Sequence, residues 1–270
     1  MRRELILLLA LASTPAPSMS QAPRLEVIYL ANMGVLVEGG GRRVVIDGFH
    51  HAELDGTAAV PSSWLQALEQ SRDPFRTLDL VLTTHRHLDH FNAASVAARL
   101  LSDSGVVFVA AQETVDSLLA RTNLRAARAR VMAGVRGVIP PARGEARVPL
   151  AGIELAVLDL PHNRTRSKRV ANVGFVLNLQ GLRVLHVGDA DPTAANFDPH
   201  RLAQRPIDVA IVPFWYLMGE NGDVLRSIGA RTWIATHVSP SDSASVRRKV
   251  HESSAGAIVM TTPGQRVPIR

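Results

Sequence analysis

The sequence predicts a mixed α/β fold, and three observations lead there. Runs of strand length alternate with helical stretches through the middle of the chain. Some of those runs, such as residues 78–82, are apolar but for a single residue, here Asp79, as strands covered on both faces tend to be. The residues that carry chemistry, Asp47, His85, His162, Asp189 and His237, fall at or just past the C-terminal ends of such runs. Strand ends gather along one edge of a layered fold, so residues far apart in the chain can meet there.

Residues 1–22 read as a secretory leader. Arg2 and Arg3 make a short basic start that Glu4 weakens, residues 5–12 are apolar, and residues 13–22 are small and proline-rich. The apolar stretch is too short to span a bilayer. Export to the periplasm or beyond is the expectation, with one domain over residues 24–270 and no linker dividing it.

Residues 25–31 and 34–38 read as strands joined at Asn32-Met33, and the glycines 39–41 turn the chain into a third, 42–46, ending at Asp47. Residues 61–69 read as a helix with Trp64 and Leu65 on its apolar side. The buried strand 78–82 runs through Thr83-Thr84 into a histidine cluster, followed by a helix at 93–101, a strand at 106–110 and a helix at 113–120. Strands return from residue 145. One, 153–160, ends at Pro161-His162. The pair 173–179 and 182–187 forms a hairpin around Gln180-Gly181 and runs into Gly188-Asp189. Strands at 209–212 and 232–235, the latter ending at His237, precede a polar helix at 243–251 and a last strand at 257–260.

Composition narrows the chemistry. Hydrophobic residues make up 46%, which suits a globular chain. The absence of cysteine excludes disulfides, thiolate metal sites and cysteine nucleophiles. A formal net charge of +6 is compatible with an anionic small-molecule substrate. No run of lysine or arginine marks a nucleic-acid arm, so no nucleic-acid partner is expected. The sequence does not give the oligomeric state.

Residues 85–90 spell H-x-H-x-D-H. In an extended segment residues two apart project the same way, so His85 and His87 can hold one cation. A turn near Leu88 swings Asp89 and His90 toward a neighbouring one. Imidazole with carboxylate suits zinc, with iron or manganese as alternatives.

Around this motif the chain resembles the metallo-β-lactamase superfamily in five ordered elements: Asp47, the His85–His90 motif, His162 after Pro161, Gly188-Asp189, and His237 after Thr236. The resemblance implies an αββα four-layer sandwich and two divalent metal ions. His85, His87 and His162 would hold the first, Asp89, His90 and His237 the second, and Asp189 would bridge them. Asp191 is a rival for that last place. Asp47 would orient a ligand histidine. Gly188-Asp189-Ala190-Asp191 and Pro213-Phe214-Trp215-Tyr216 resemble the branch that includes ascorbate-phosphate lactonases and N-acylphosphatidylethanolamine phospholipases.

Two cations about 3.5–4 Å apart can share a water and ionise it near neutrality. The expected function is therefore hydrolysis of an ester, lactone, amide or phosphodiester by a metal-bound hydroxide. Asp89, Asp189 and Asp47 form the acidic part of the catalytic machinery, and Asp89 or Asp189 orients the nucleophile and passes on a proton. The alternatives are a β-lactamase-type amide hydrolase, disfavoured because zinc enzymes of that kind often carry a cysteine where this chain has Asp189, an iron-dependent oxidoreductase on the same fold, and a binding-only protein.

Further residues are candidates for substrate contact. His50 and His51 would sit at the mouth of the site, as contacts, proton relays or exposed loop histidines. Arg164, Arg166, Lys168 and Arg169 follow His162 and would clamp a phosphate or carboxylate. Trp215 and Tyr216 would form an apolar wall, with core packing as the other reading. His186 reads as a core histidine, and His200 and His251 as surface residues.

Overall fold

The computed structural model describes residues 25–51, 56–121, 127–162 and 170–270. The expected leader and Arg164, Arg166, Lys168 and Arg169 lie outside the described residues. In chain order the first half comprises β1 (Leu25–Ala31), β2 (Gly34–Gly39), β3 (Arg42–Ile46), α1 (Ser62–Glu69), β4 (Leu80–Thr83), α2 (Ala93–Ser102), β5 (Val107–Ala111), α3 (Gln112–Arg121), α4 (Arg128–Ala133) and β6 (Val135–Val138). The second comprises β7 (Glu145–Leu150), β8 (Ile153–Asp159), β9 (Val173–Leu179), β10 (Leu182–His186), α5 (Ala194–Phe197), β11 (Ile207–Pro213), α6 (Gly222–Ile228), β12 (Ala230–Thr236), α7 (Ser243–Ser253), β13 (Ile258–Val259) and β14 (Arg266–Ile269).

The strands form two sheets, ordered β14-β1-β2-β3-β4-β5-β6 and β13-β12-β11-β10-β9-β8-β7. Each sheet begins as an antiparallel meander and continues in parallel, β3 through β6 in one and β10 through β13 in the other. Parallel neighbours need a crossover, and the helices supply it.

Strand periodicity separates the layers. In β1, Leu25, Val27 and Tyr29 face the space between the sheets, while Ile28 and Leu30 face outward. In β4, Leu80 and Leu82 point inward and Val81 outward. Across the interlayer they meet Phe175, Leu177, Ile211 and Ile234 of the other sheet. Outside the first sheet lie Leu65 and Leu68 of α1, Val96 and Leu100 of α2, Val115 and Leu118 of α3, and Val131 of α4. Outside the second lie Phe197 of α5, Ile228 of α6 and Val250 of α7. The expected αββα sandwich is what forms, because both sheets are apolar on both faces. No helix among the described residues is long and apolar enough to cross a membrane.

The main strands fall where the apolar runs predict them. The structure adds β6, β14, α4, α5 and α6, and the strands expected from residue 145 begin with β7. In β6, Arg136 and Gly137 interrupt a run of only four residues, and in β14 Pro268 argues against a strand. Both are edge strands. An edge needs hydrogen bonds on one side only, and so tolerates a proline or a glycine. His200, read as a surface residue, is buried instead, its Nε2 lying 3.2 Å from the Asp159 carbonyl oxygen.

One buried cation ties the helices over the first sheet. Arg99 of α2 is 1% exposed. Its Nη1 donates to the carbonyls of Leu68 and Phe75, and its Nη2 to the Arg76 carbonyl and to Asp103 Oδ2 at 2.6 Å. Replacing it by Ala strands those carbonyls and the Asp103 carboxylate. Arg99→Ala is expected to cost about 3 kcal/mol, on the scale of a buried charge pair that loses one member. Thermal denaturation should record a Tm about 6–12 °C lower.

Candidate metal centre

Five strand ends build the site. β3 delivers Asp47, β4 delivers Thr84 and the histidine motif, β8 delivers His162, β10 delivers Asp189 and β12 delivers His237. The parallel pairing of β3 with β4 sets Asp47 beside Thr84, with the Asp47 N–H donating to the Leu82 carbonyl at 2.9 Å. The two sheets are tied at this edge. The Val173 N–H donates to the Thr84 carbonyl, and the His237 N–H to the Asn32 carbonyl, each at 3.0 Å. Asn32, Asp47 and His237 all adopt left-handed backbone (φ 49°, 49° and 61°). Such strain in non-glycine residues persists only where surrounding contacts dictate it.

The seven residues expected to hold metals come together in two groups, His85, His87, His162 and Asp189, and Asp89, His90, Asp189 and His237. Within each group the candidate ligand atoms lie within 4.8 Å of one another. Asp189 belongs to both. Its Oδ2 faces His85 Nε2 and His162 Nε2 at 3.9 Å and His237 Nε2 at 3.4 Å, and its Oδ1 faces His90 Nε2 at 3.3 Å. Asp89 Oδ2 faces His237 Nε2 at 3.4 Å and His90 Nε2 at 3.7 Å. Asp191, the rival of Asp189, is in neither group.

The separations of 3.3–3.4 Å around His90 and His237 fit a divalent cation, those of 3.7–3.9 Å are wider, and His85 Nε2 stands closer to His87 Nδ1, at 2.8 Å. Ligands about 2.0–2.1 Å from a tetrahedral ion stand roughly 3.3–3.4 Å from each other, longer than an ordinary hydrogen bond. Correspondingly, His90 Nε2, His237 Nε2 and Asp189 Oδ1 are buried and make no hydrogen bond. A native fold rarely leaves such atoms unmet.

Neighbouring groups set the ring orientations. His90 Nδ1–H donates to Asp47 Oδ2 at 2.9 Å, so the expected role of Asp47 in orienting a ligand histidine has the geometry it needs. The Thr84 hydroxyl donates to Asp47 Oδ2 at 2.7 Å, so it can only accept from His85 Nδ1–H, 3.1 Å away. That leaves His85 Nε2 with its lone pair, 2.8 Å from His87 Nδ1. Arg86 turns away between the two histidines and pairs with Glu113, which also accepts from the Ala171 N–H. Gly188 (φ 57°) cannot be replaced: a Cβ there would lie 2.4 Å from Asn172 Oδ1 and 2.7 Å from Thr84 Cβ. Asn172 ties the strand ends together by donating to the Leu160 and Val187 carbonyls while accepting from the Asp189 N–H.

Charge in the site is arranged for a cation. Burial lowers the pKa of His85, His87 and His162, assisted in each case by neighbouring histidines, and neutral imidazole is the form that ligates. Burial opposes charge on His90 and His237 too, but carboxylates outweigh it. Asp189 and Asp47 raise His90 well above its usual value, and Asp189 with Asp89 raises His237 to about 9. Burial would raise Asp89 and Asp189, yet the charges of His90 and His237 hold both low. Without a cation, the carboxylates recruit protons onto the histidines.

The candidate substrate contacts divide. Trp215 is half-buried with its ring edge-on to His237, centroids 5.0 Å apart. Tyr216 is not a substrate wall: it is buried, and its hydroxyl donates to the Ala190 carbonyl at 2.5 Å, supporting the turn after Asp189 from below. His50 is corrected likewise. It is fully buried with Nε2 3.4 Å from the Ala31 carbonyl oxygen, and burial pushes its pKa down to about 4. His51 is half-buried, 3.1 Å from Ser95 Oγ, which in turn donates to Glu69. His186 is buried as expected; it donates from Nε2 to the Met33 carbonyl and accepts the Gly188 N–H at Nδ1. Thr84, Asn172 and Asn32 were not singled out in the sequence. Only the position of Thr84 beside the motif hints at its part.

Comparison with known proteins agrees with this geometry. No curated protein matches the sequence significantly. Among solved structures, a metallo hydrolase from Ignicoccus hospitalis superposes with a TM-score of 0.58 at 17% identity, covering 92% of this chain and 99% of that one. The metallo-beta-lactamase fold protein YhfI from Bacillus subtilis gives 0.60 at 12%, covering 92% and 100%. The diiron beta-hydroxylase CmlA from Streptomyces venezuelae gives 0.57 at 13%, covering 95% of this chain and 55% of that one. At these identities the likeness is one of fold. The family model of the beta-lactamase superfamily domain matches residues 42–258. The chain therefore belongs to the β-lactamase superfamily of metallo-β-lactamase-fold proteins.

Proposed function

We propose that this protein is a hydrolase that works with two divalent cations on an ester, lactone, amide or phosphodiester bond of a small molecule. The observation that carries the reading is the Asp189 carboxylate, shared between two ligand groups whose remaining members are all His or Asp. His85, His87 and His162 would hold one cation, Asp89, His90 and His237 the other, with Asp189 between them. When bound, such ions supply Lewis acidity and a water acidic enough to react near neutral pH.

The chain's own groups do the rest. By this reading Asp89 or Asp189 orients an attacking water and passes on its proton. Asp47 keeps the His90 ring fixed. Trp215 offers an apolar edge beside His237. Near Pro161, the residue before His162, a cavity of about 500 Å³ is lined by Val138, Ile139 and Pro140 together with Glu113, Asp116 and Asp159. Ile139 there is 79% exposed. An apolar or cationic substituent of the substrate fits this lining better than an anionic one. An anionic head group would depend instead on Arg164 and its basic neighbours. Export of the protein would make its substrate an extracytoplasmic one.

The N/O ligand set also suits iron, and CmlA is a diiron hydroxylase of the same fold. Metal analysis after purification without added metal, with an absorption spectrum, separates a zinc hydrolase from an iron oxygenase.

A panel of p-nitrophenyl esters, lactones, bis-p-nitrophenyl phosphate and nitrocefin tests the reaction class. Chelation is expected to abolish turnover and lower the Tm, and added zinc to restore both. His87→Ala and Asp189→Ala should each lose bound metal and lower kcat/KM more than about 100-fold, beyond the loss typical of groups that only support a ligand. Full turnover in either variant would refute the assignment. Trp215→Ala should raise KM about tenfold with kcat little changed, as loss of apolar substrate contact does. A fall in kcat alone would mean that the ring merely props His237.

A further inference from the structure

Asn32 lies in the two-residue turn between β1 and β2, and the fold gives it more than a turn to make. It is 1% exposed with φ 49°. Its side-chain Nδ2 donates to both the backbone oxygen and Oδ2 of Asp89, each at 3.1 Å. Its main-chain carbonyl accepts the His237 N–H at 3.0 Å. Asp89 Oδ2 is the oxygen that faces His237 Nε2 and His90 Nε2. The amide thus occupies one lone pair of that oxygen, and the other would serve a cation held by the second group. Next to Asn32, the Met33 carbonyl accepts from His186, whose other nitrogen accepts the Gly188 N–H just ahead of Asp189.

The Asn32 carboxamide itself touches no member of the first group, whose supports include the Thr84 hydroxyl at His85 and Asn172 at the Asp189 main chain. One turn of the first sheet therefore grips Asp89 from the motif loop and His237 from the second sheet. These two are ligand candidates of the second group only.

We infer that Asn32 is a positioning residue for the second cation alone, holding Asp89 Oδ2 and His237 in register so that the two cations load with separable affinities. The inference rests on the two-cation reading above. Its consequence is selective: losing the carboxamide should weaken one site and spare the other, whereas a general loss of fold would weaken both.

Asn32→Gly tests it most cleanly. Glycine adopts a positive φ without strain and keeps the carbonyl that receives the His237 N–H, so only the carboxamide is deleted. Asn32→Ala removes the same group but strains the turn. Zinc should be titrated calorimetrically into metal-free wild type and both variants, with bound zinc per chain measured by elemental analysis and folding followed by circular dichroism and melting. Wild type is expected to take two ions. In both variants the first ion should bind within about twofold of wild type and the second about 10–100-fold more weakly, the range seen when a group supporting a ligand is lost. Equal weakening of both ions, or unchanged binding of both, overturns the role of Asn32 and leaves the two-cation reading standing. A wild-type chain that takes only one ion overturns both. If neither variant folds, the carboxamide is a folding determinant and the selective role is wrong.

Discussion

Burying a carboxylate costs several kcal/mol unless positive charge meets it, and this chain buries Asp47, Asp89 and Asp189 within one constellation. The protein's own answer is partial. Asp47 receives Thr84 and His90, but Asp89 and Asp189 face imidazoles at separations too long for good hydrogen bonds. The unmet negative charge selects for cations, and the lack of cysteine keeps the ligand set to nitrogen and oxygen. Much of the architecture holds those two carboxylates in place against their own repulsion.

The sandwich does this by layering. Apolar strands covered on both faces are rigid, and their ends can carry polar groups at a fixed spacing without large motion. Besides the apolar contacts of the interlayer, backbone bonds at the edge, Val173 to Thr84 and His237 to Asn32, tie the two sheets together. Gly188 completes the closure, since only a residue without a side chain lets the turn pass between Thr84 and Asn172.

The supporting residues explain why a ligand list alone under-describes the site. Thr84 fixes the His85 tautomer, Asp47 aims His90, Asn172 clamps two strand ends, and Tyr216 braces the turn after Asp189. None of these need lie on the substrate's path. Trp215 is the aromatic that does border the ligands, while its neighbour Tyr216, one residue on, turns into the core. On a short helical turn adjacent residues point apart, so a sequence cluster of aromatics divides between wall and core.

The amino-acid sequence alone determined most of the strands and, through its resemblance to the metallo-β-lactamase superfamily, the candidate ligands. Apolar runs and the H-x-H-x-D-H spacing are local properties, legible without knowing what packs on what. Only the tertiary structure decided which side chains turn in or out at the edge: His50 and Tyr216 into the core, Trp215 toward His237. It also decided that Asn32, an unremarkable turn residue in the sequence, grips Asp89 from 57 residues away. Weak edge strands such as β6 and β14 were equally out of reach, because their pairing comes from neighbours distant in the chain. The physical reason is the same in each case: secondary structure follows from the pattern of nearby residues, whereas the partner of a buried polar group is set by where the whole chain closes.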